Sequence, residues 1–181
     1  YPRAAKSIVL NSPLYGLHMT FLEDFVTSNI SSALDSQWPP KTSRELWDPS
    51  KATFSKQFDS TSESRWKLYN GFLKKHPNLI QSQPSRGWIN QMKAATSDDA
   101  LNLIALNIVV PTLLLQSGND TFVNTDRHYF VKEAREHSLK DPKSSCFKIQ
   151  TYPTEYHSIW RGASHEQVFE TIISHFEKSD K

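Results

Sequence analysis

The chain has 181 residues, 37% of them apolar and 12% aromatic, which suits one buried core and excludes a disordered segment. Its net charge of +2 comes from 21 basic and 19 acidic residues spread along the chain, which excludes the clustered cations of a nucleic-acid interface. One cysteine, Cys146, excludes an internal disulfide and a cysteine-based zinc site, and no run approaches the roughly eighteen apolar residues of a membrane span.

The first residue is Tyr1, not Met, and Tyr1-Pro2-Arg3-Ala4-Ala5 reads as the loop or helix tail before a strand. The expectation is a chain cut at a linker. No leader pattern opens it, although an upstream segment could carry one; the location is open, with a cytoplasmic or membrane-peripheral one favoured. Ser7-Ile8-Val9-Leu10-Asn11 is a continuous apolar run, the pattern of a strand covered on both faces of a parallel sheet, and Ser12-Pro13 ends it.

From Leu14 to about Asn107 helical stripes alternate with proline-rich breaks. Leu17, Phe21, Leu22 and Phe25 recur at helical spacing, and Trp38-Pro39-Pro40 breaks the pattern. Leu68, Tyr69, Phe72 and Leu73 form the next stripe, with Ser60-x-x-Glu63 as its capping box and Lys74, Lys75 and Pro77 closing it. Trp88, Ile89 and Met92 make a third stripe. Ser97 followed by Asp98 and Asp99 opens a fourth, through Leu101, Ile104 and Ala105.

Beyond this insertion strand and helix alternate regularly. Pro111 stands where a second strand begins, a place that tolerates a missing amide hydrogen, and Thr112-Leu113-Leu114-Leu115 is again fully apolar. Asn124 can cap a helix reaching about Ser138, with Phe130, Val131 and Ala134 inward. A third strand, Phe147 to Tyr152, alternates apolar and polar as an edge strand does. Ser164-x-x-Gln167 then opens a helix with the stripe Val168, Phe169, Ile172, Ile173, Phe176.

Strands joined by helices imply a parallel sheet, whose ligands gather at the carboxyl ends of the strands. Asp120, in Ser117-Gly118-Asn119-Asp120, and His157, in Glu155-Tyr156-His157, both lie just past such ends. An acid at one strand end and an imidazole at the next, in that order, is how an α/β-hydrolase supplies the last two members of a Ser…Asp…His triad. The nucleophile is missing: a G-x-S-x-G elbow needs glycines four apart, and no two of the five glycines are so spaced. Ser85 before Gly87 is the one relaxed candidate, and Pro84, Arg86 and the polar Gln81-Ser82-Gln83 argue against it.

Ile108 to Asp120, followed by Tyr152-Pro153-Thr154-Glu155-Tyr156-His157, resembles the C-terminal half of the lysophospholipases and monoacylglycerol lipases, in the serine-aminopeptidase-like branch of the α/β-hydrolases. Ile8 to Pro13 is similar to that family's strand leading into its cap. The resemblance implies a partial α/β-hydrolase fold: three parallel strands with flanking helices, residues 1–13 and 108–181 forming the C-terminal part of the core, and 14–107 a helical cap or lid. It implies that Asp120 is the triad acid and His157 the base, with the Ser and both oxyanion-hole amides upstream of Tyr1. The strand matching Ile8 to Leu10 would then lack one neighbour.

The expected activity is hydrolysis of a carboxylic ester, of a monoacylglycerol or lysophospholipid, by the parent protein. The chain alone is expected to be inactive. No metal or organic cofactor is implied, the partners are a lipid ester and the missing N-terminal half, and peripheral membrane contact is compatible with both. Two alternatives stand: a proline-iminopeptidase-like serine peptidase, which would need an acidic cluster in the cap for a substrate amino group, and a non-catalytic binding module. Four of the five tryptophans, Trp38, Trp47, Trp66 and Trp88, fall in the cap, where helix packing explains them better than a ligand pocket does. His165 and His175 lack the i, i+4 spacing of a metal pair. Lys74-Lys75-His76 complements a helix C-terminus, and Arg161-Gly162 reads as a turn.

Overall fold

The computed structural model describes residues 5–19, 48–56, 59–80, 84–141 and 145–179. Three parallel strands form one sheet in the order β1 (Ile8–Asn11), β2 (Thr112–Ser117), β3 (Phe147–Tyr152). Five helices are described: α1 (Glu63–Lys75), α2 (Arg86–Ala95), α3 (Asp98–Leu106), α4 (Asp126–His137) and α5 (His165–Ser179). The expected helix through Phe21, Leu22 and Phe25, the Trp38-Pro39-Pro40 break and Trp47 lie outside the described residues, as do residues 1–4 and 81–83.

The central strand explains its own composition. All six residues of β2 are buried, and successive side chains of a strand point to opposite faces. Leu114 therefore packs on one face with Leu101 and Ala105 of α3, Val131 of α4, Phe147 and Tyr15. Leu113 and Leu115 pack on the other with Tyr152, Ile159 and Val168 of α5. A run of leucines with no polar alternation is what a strand covered on both sides requires. β3 alternates as expected of an edge strand.

Helix α3 closes the segment expected to form a cap, yet it sits on the sheet: Leu101 and Ala105 are fully buried against it. Its cap follows the sequence reading, with Ser97 Oγ accepting the Ala100 amide at 3.4 Å. Helix α1 departs from its reading twice. Leu68, Tyr69 and Phe72 are exposed, and the buried face is Trp66, Asn70 and Leu73. A polar residue takes the middle of that face because Asn70 Nδ2 donates to the Pro49 carbonyl at 2.9 Å. The capping box does not form either: the helix starts after Ser62, and Ser60 Oγ donates instead to the Arg161 carbonyl at 2.8 Å.

On α5 the apolar stripe divides. Val168 and Ile172 join the core, while Phe169, Ile173 and Phe176 are exposed. No described helix is long and apolar enough to cross a membrane.

Candidate active site

The loops after β2 and β3 are stitched together before any functional side chain is considered. The Gly118 amide donates to the Tyr152 carbonyl at 2.9 Å and the Asn119 amide to the Glu155 carbonyl at 3.0 Å, an acceptor that Ser117 Oγ also reaches at 2.5 Å. Gly118 is required by this approach, since a Cβ there would stand 2.5 Å from Pro153 Cα. The carboxyl ends of two neighbouring strands thus open into one shared surface.

Asp120 and His157 meet on it. Asp120 Oδ1 accepts the amides of Phe122 and Val123, each at 2.9 Å, which fixes the carboxylate, and its Oδ2 lies 2.8 Å from His157 Nδ1. The contact is within hydrogen-bond reach. The Asp120 side chain is fully buried and that of His157 is 33% exposed. Burial alone would raise the Asp120 pKa; the His157 bond, the two amides and the imidazole charge outweigh it, and the carboxyl is held below its ordinary range. The Asp120 hydrogen bond lifts the pKa of His157 above its ordinary value, against the opposing effect of burial. The imidazole and the Phe122 ring also form a T-shaped pair, with centroids 5.5 Å apart.

With Nδ1 committed to a carboxylate, Nε2 is the nitrogen left to take up and return a proton. Ser85, the relaxed nucleophile candidate, serves instead as the N-cap of α2, its Oγ accepting the Trp88 amide at 3.2 Å. Among the described residues no group of three His, Cys, Asp or Glu could hold a metal ion.

Five residues that sequence reasoning assigned no role at this site hold the histidine loop. Ser12, at the end of β1, donates from Oγ to the His157 carbonyl at 3.0 Å and has a φ of 41°. Glu155 is buried; its carboxylate accepts from Thr61 Oγ1 and, at 2.7 Å, from the Ser164 amide at the start of α5. Asp59 and Arg161 form an ion pair at 2.5 Å beside Ser158. Gly162 is pressed against Glu155, where any Cβ would overlap the carboxylate. Glu155 stands between Thr154 and Tyr156 with no local mark of its burial, and the contacts of Ser12, Asp59 and Arg161 join segments far apart in sequence.

The family model described as "Serine aminopeptidase, S33" matches residues 1–163. The chain belongs to this family. Two solved structures share its fold. A soluble variant of monoglyceride lipase from Saccharomyces cerevisiae, in complex with a substrate analog, superposes with a TM-score of 0.54 at 19% identity, covering 94% of this chain and 55% of that one. Monoacylglycerol lipase from Paleococcus ferrophilus superposes with a TM-score of 0.56 at 19% identity, covering 96% of this chain and 61% of that one. This S33-family chain therefore spans little more than half the length of either lipase and has a partial α/β-hydrolase fold, three parallel strands with flanking helices. No match was found among curated proteins.

Proposed function

We propose that this chain carries the acid and base of a Ser-His-Asp ester hydrolase, with Asp120 and His157 in those roles and the serine upstream of the chain. The carrying observation is the 2.8 Å contact between Asp120 Oδ2 and His157 Nδ1 at the carboxyl ends of adjacent parallel strands. His157 takes the serine proton at Nε2 as the hydroxyl attacks the ester carbonyl. It returns that proton to the departing alcohol, and then activates water against the acyl-enzyme. Asp120 keeps the proton of the neutral imidazole on Nδ1 and stabilises the imidazolium. The oxyanion donors belong with the serine.

Residues 14–107 we read as the cap, with α3 as its foot on the sheet, and 1–13 with 108–181 as the hydrolase part. The substrate reading is a monoacylglycerol or a lysophospholipid, approached by peripheral contact with a lipid surface. The carboxylates of the insertion bear on the peptidase alternative. Among the described residues of the insertion, Asp48, Asp59, Glu63 and Asp98 are each engaged with a cation, Lys51, Arg161, Lys67 and Arg127, leaving those four poorly placed to hold a substrate amino group.

The test compares this chain with a version joined to its upstream segment, on p-nitrophenyl esters, a monoacylglycerol, a lysophospholipid and a proline anilide. The isolated chain should not exceed buffer. The extended protein should hydrolyse the lipid esters, and turnover of the anilide alone would overturn the substrate reading. Saturable hydrolysis by the isolated chain, abolished in Ser85→Ala, would overturn the division of the triad.

A further inference from the structure

We infer that Asp59 is a positioning residue for His157, holding through Ser158 and Arg161 the peptide unit that follows the imidazole-bearing residue. The inference deepens the proposed function and rests on His157 being the base. That peptide unit is clamped at both ends. Its carbonyl, of His157, accepts from Ser12 Oγ at 3.0 Å, and its N–H, of Ser158, donates to the Asp59 carbonyl at 2.9 Å. One clamp comes from the end of β1 and the other from the segment leading into α1, so the orientation of the plane is set by two separate parts of the chain.

The Asp59 side chain keeps its own main chain in that place. Its Oδ1 accepts from Ser158 Oγ and its Oδ2 from Arg161 Nη2, which also reaches Ser158 Oγ at 2.7 Å. Arg161 is fixed in turn. Its side chain is 12% exposed and lies over the Tyr69 ring of α1 at 3.8 Å and beside Trp160 at 5.2 Å, and its carbonyl accepts from Ser60 Oγ. The Arg161 Nε and Nη1 atoms are buried without hydrogen-bond partners, so Asp59 is the carboxylate that compensates a largely dehydrated cation. Removing the Asp59 charge leaves that cation facing the imidazole.

The charged groups facing His157 are therefore Asp120 from the loop after β2, Asp59 from the segment before α1, and Arg161 from the turn after β3. Both acids favour the imidazolium and Arg161 opposes it. A residue that merely braced the loop would alter stability without altering this balance.

The experiment is an NMR pH titration of the His157 ring in this chain. Asp59→Asn should move the His157 midpoint down, and Asp59→Glu, which retains the charge, should recover more of the wild-type midpoint than Asp59→Ala does. Ser158→Ala keeps the carboxylate and should leave the midpoint near wild type while the amide at position 158 exchanges faster. It serves also if Asp59→Ala fails to fold. A midpoint unchanged in Asp59→Asn, or unchanged amide exchange in Ser158→Ala, would overturn the inference. The titration needs no turnover. An extended protein inactive on esters, with an Asp59-dependent midpoint, would sink the function and leave this inference standing; an active one with an Asp59-independent midpoint would do the reverse.

Discussion

Ser12 takes up a φ of 41° and its hydroxyl donates to the main-chain carbonyl of His157, 145 residues away. The residue that ends β1 is thus held in left-handed backbone and braces the loop after β3. Left-handed backbone costs a residue with a Cβ roughly 1–2 kcal/mol, while losing one of the two bonds to the His157 carbonyl, which also accepts the Ile159 amide at 3.1 Å, costs about 0.5–1.5 kcal/mol. Ser12→Ala keeps the strain and loses the bond, so urea unfolding should show a destabilisation of about that second amount. Ser12→Gly also loses the bond but relieves the strain, and should be less destabilised than Ser12→Ala. Gly as harmful as Ala would mean that the backbone is not strained there.

Gly118 should accept no side chain. A Cβ there would meet Pro153 Cα at 2.5 Å, main chain rather than a movable side-chain tip. Gly118→Ala should therefore separate the two strand-end loops and cost about 3 kcal/mol or more in unfolding free energy. The low-field His157 Nδ1–H signal should weaken as Asp120 moves away. An Ala variant as stable as wild type, with that signal intact, would contradict the stitched-loop description.

Two histidines make opposite contributions to stability against pH. His128 is fully buried, with Nε2 2.9 Å from the Pro13 carbonyl and Nδ1 2.9 Å from Gln116 Oε1, and burial pushes its pKa below 6.5. Its contribution is complete above that value and is lost as pH falls through 6.5 toward the folded pKa, because the unfolded chain then binds the extra proton. His157 is raised above 6.5 by Asp120. Its contribution is complete below 6.5 and is lost as pH rises through the folded pKa. Urea midpoints across this range should show His128→Gln flattening the acid-side loss and Asp120→Asn flattening the alkaline-side one. The same slopes in both variants and wild type would contradict the assignment.

The sheet and the meeting of Asp120 with His157 were legible because strand periodicity and strand-end position are local properties. Thr112 to Leu115 announces burial on both faces by itself, and an acid or imidazole after such a run is placed by the sheet. Helix faces were less legible. In α1 the polar Asn70 occupies the buried face because its partner is a carbonyl at Pro49, while Leu68 and Phe72 lie exposed. Ser60 has the spacing of a capping box, but the Arg161 carbonyl captures its hydroxyl. Ser12, Asp59 and Arg161 work across sequence separations of 99 to 145 residues, and nothing in a local window encodes such partners.

Glu155 tests how far the loop depends on a buried carboxylate. Its carboxylate accepts from Thr61 Oγ1 and the Ser164 amide, joining the segment before α1 to the start of α5. Glu155→Ala would leave those donors without their acceptor, at a cost of about 2–4 kcal/mol, and Glu155→Gln, which keeps an oxygen, should cost less. Thermal unfolding of the two variants checks the order. Equal melting temperatures for both variants and wild type would contradict a structural role for the carboxylate.

The most direct measurement of the central claim is a double-mutant cycle on ester turnover in the protein extended by its upstream segment. If Asp120 and His157 act as one unit with an upstream serine, His157→Ala should lower kcat about ten-thousand-fold or more. Asp120→Asn should be severe as well, and the double variant should be scarcely worse than His157→Ala alone. Independent, additive losses, or hydrolysis that survives His157→Ala, would contradict the account.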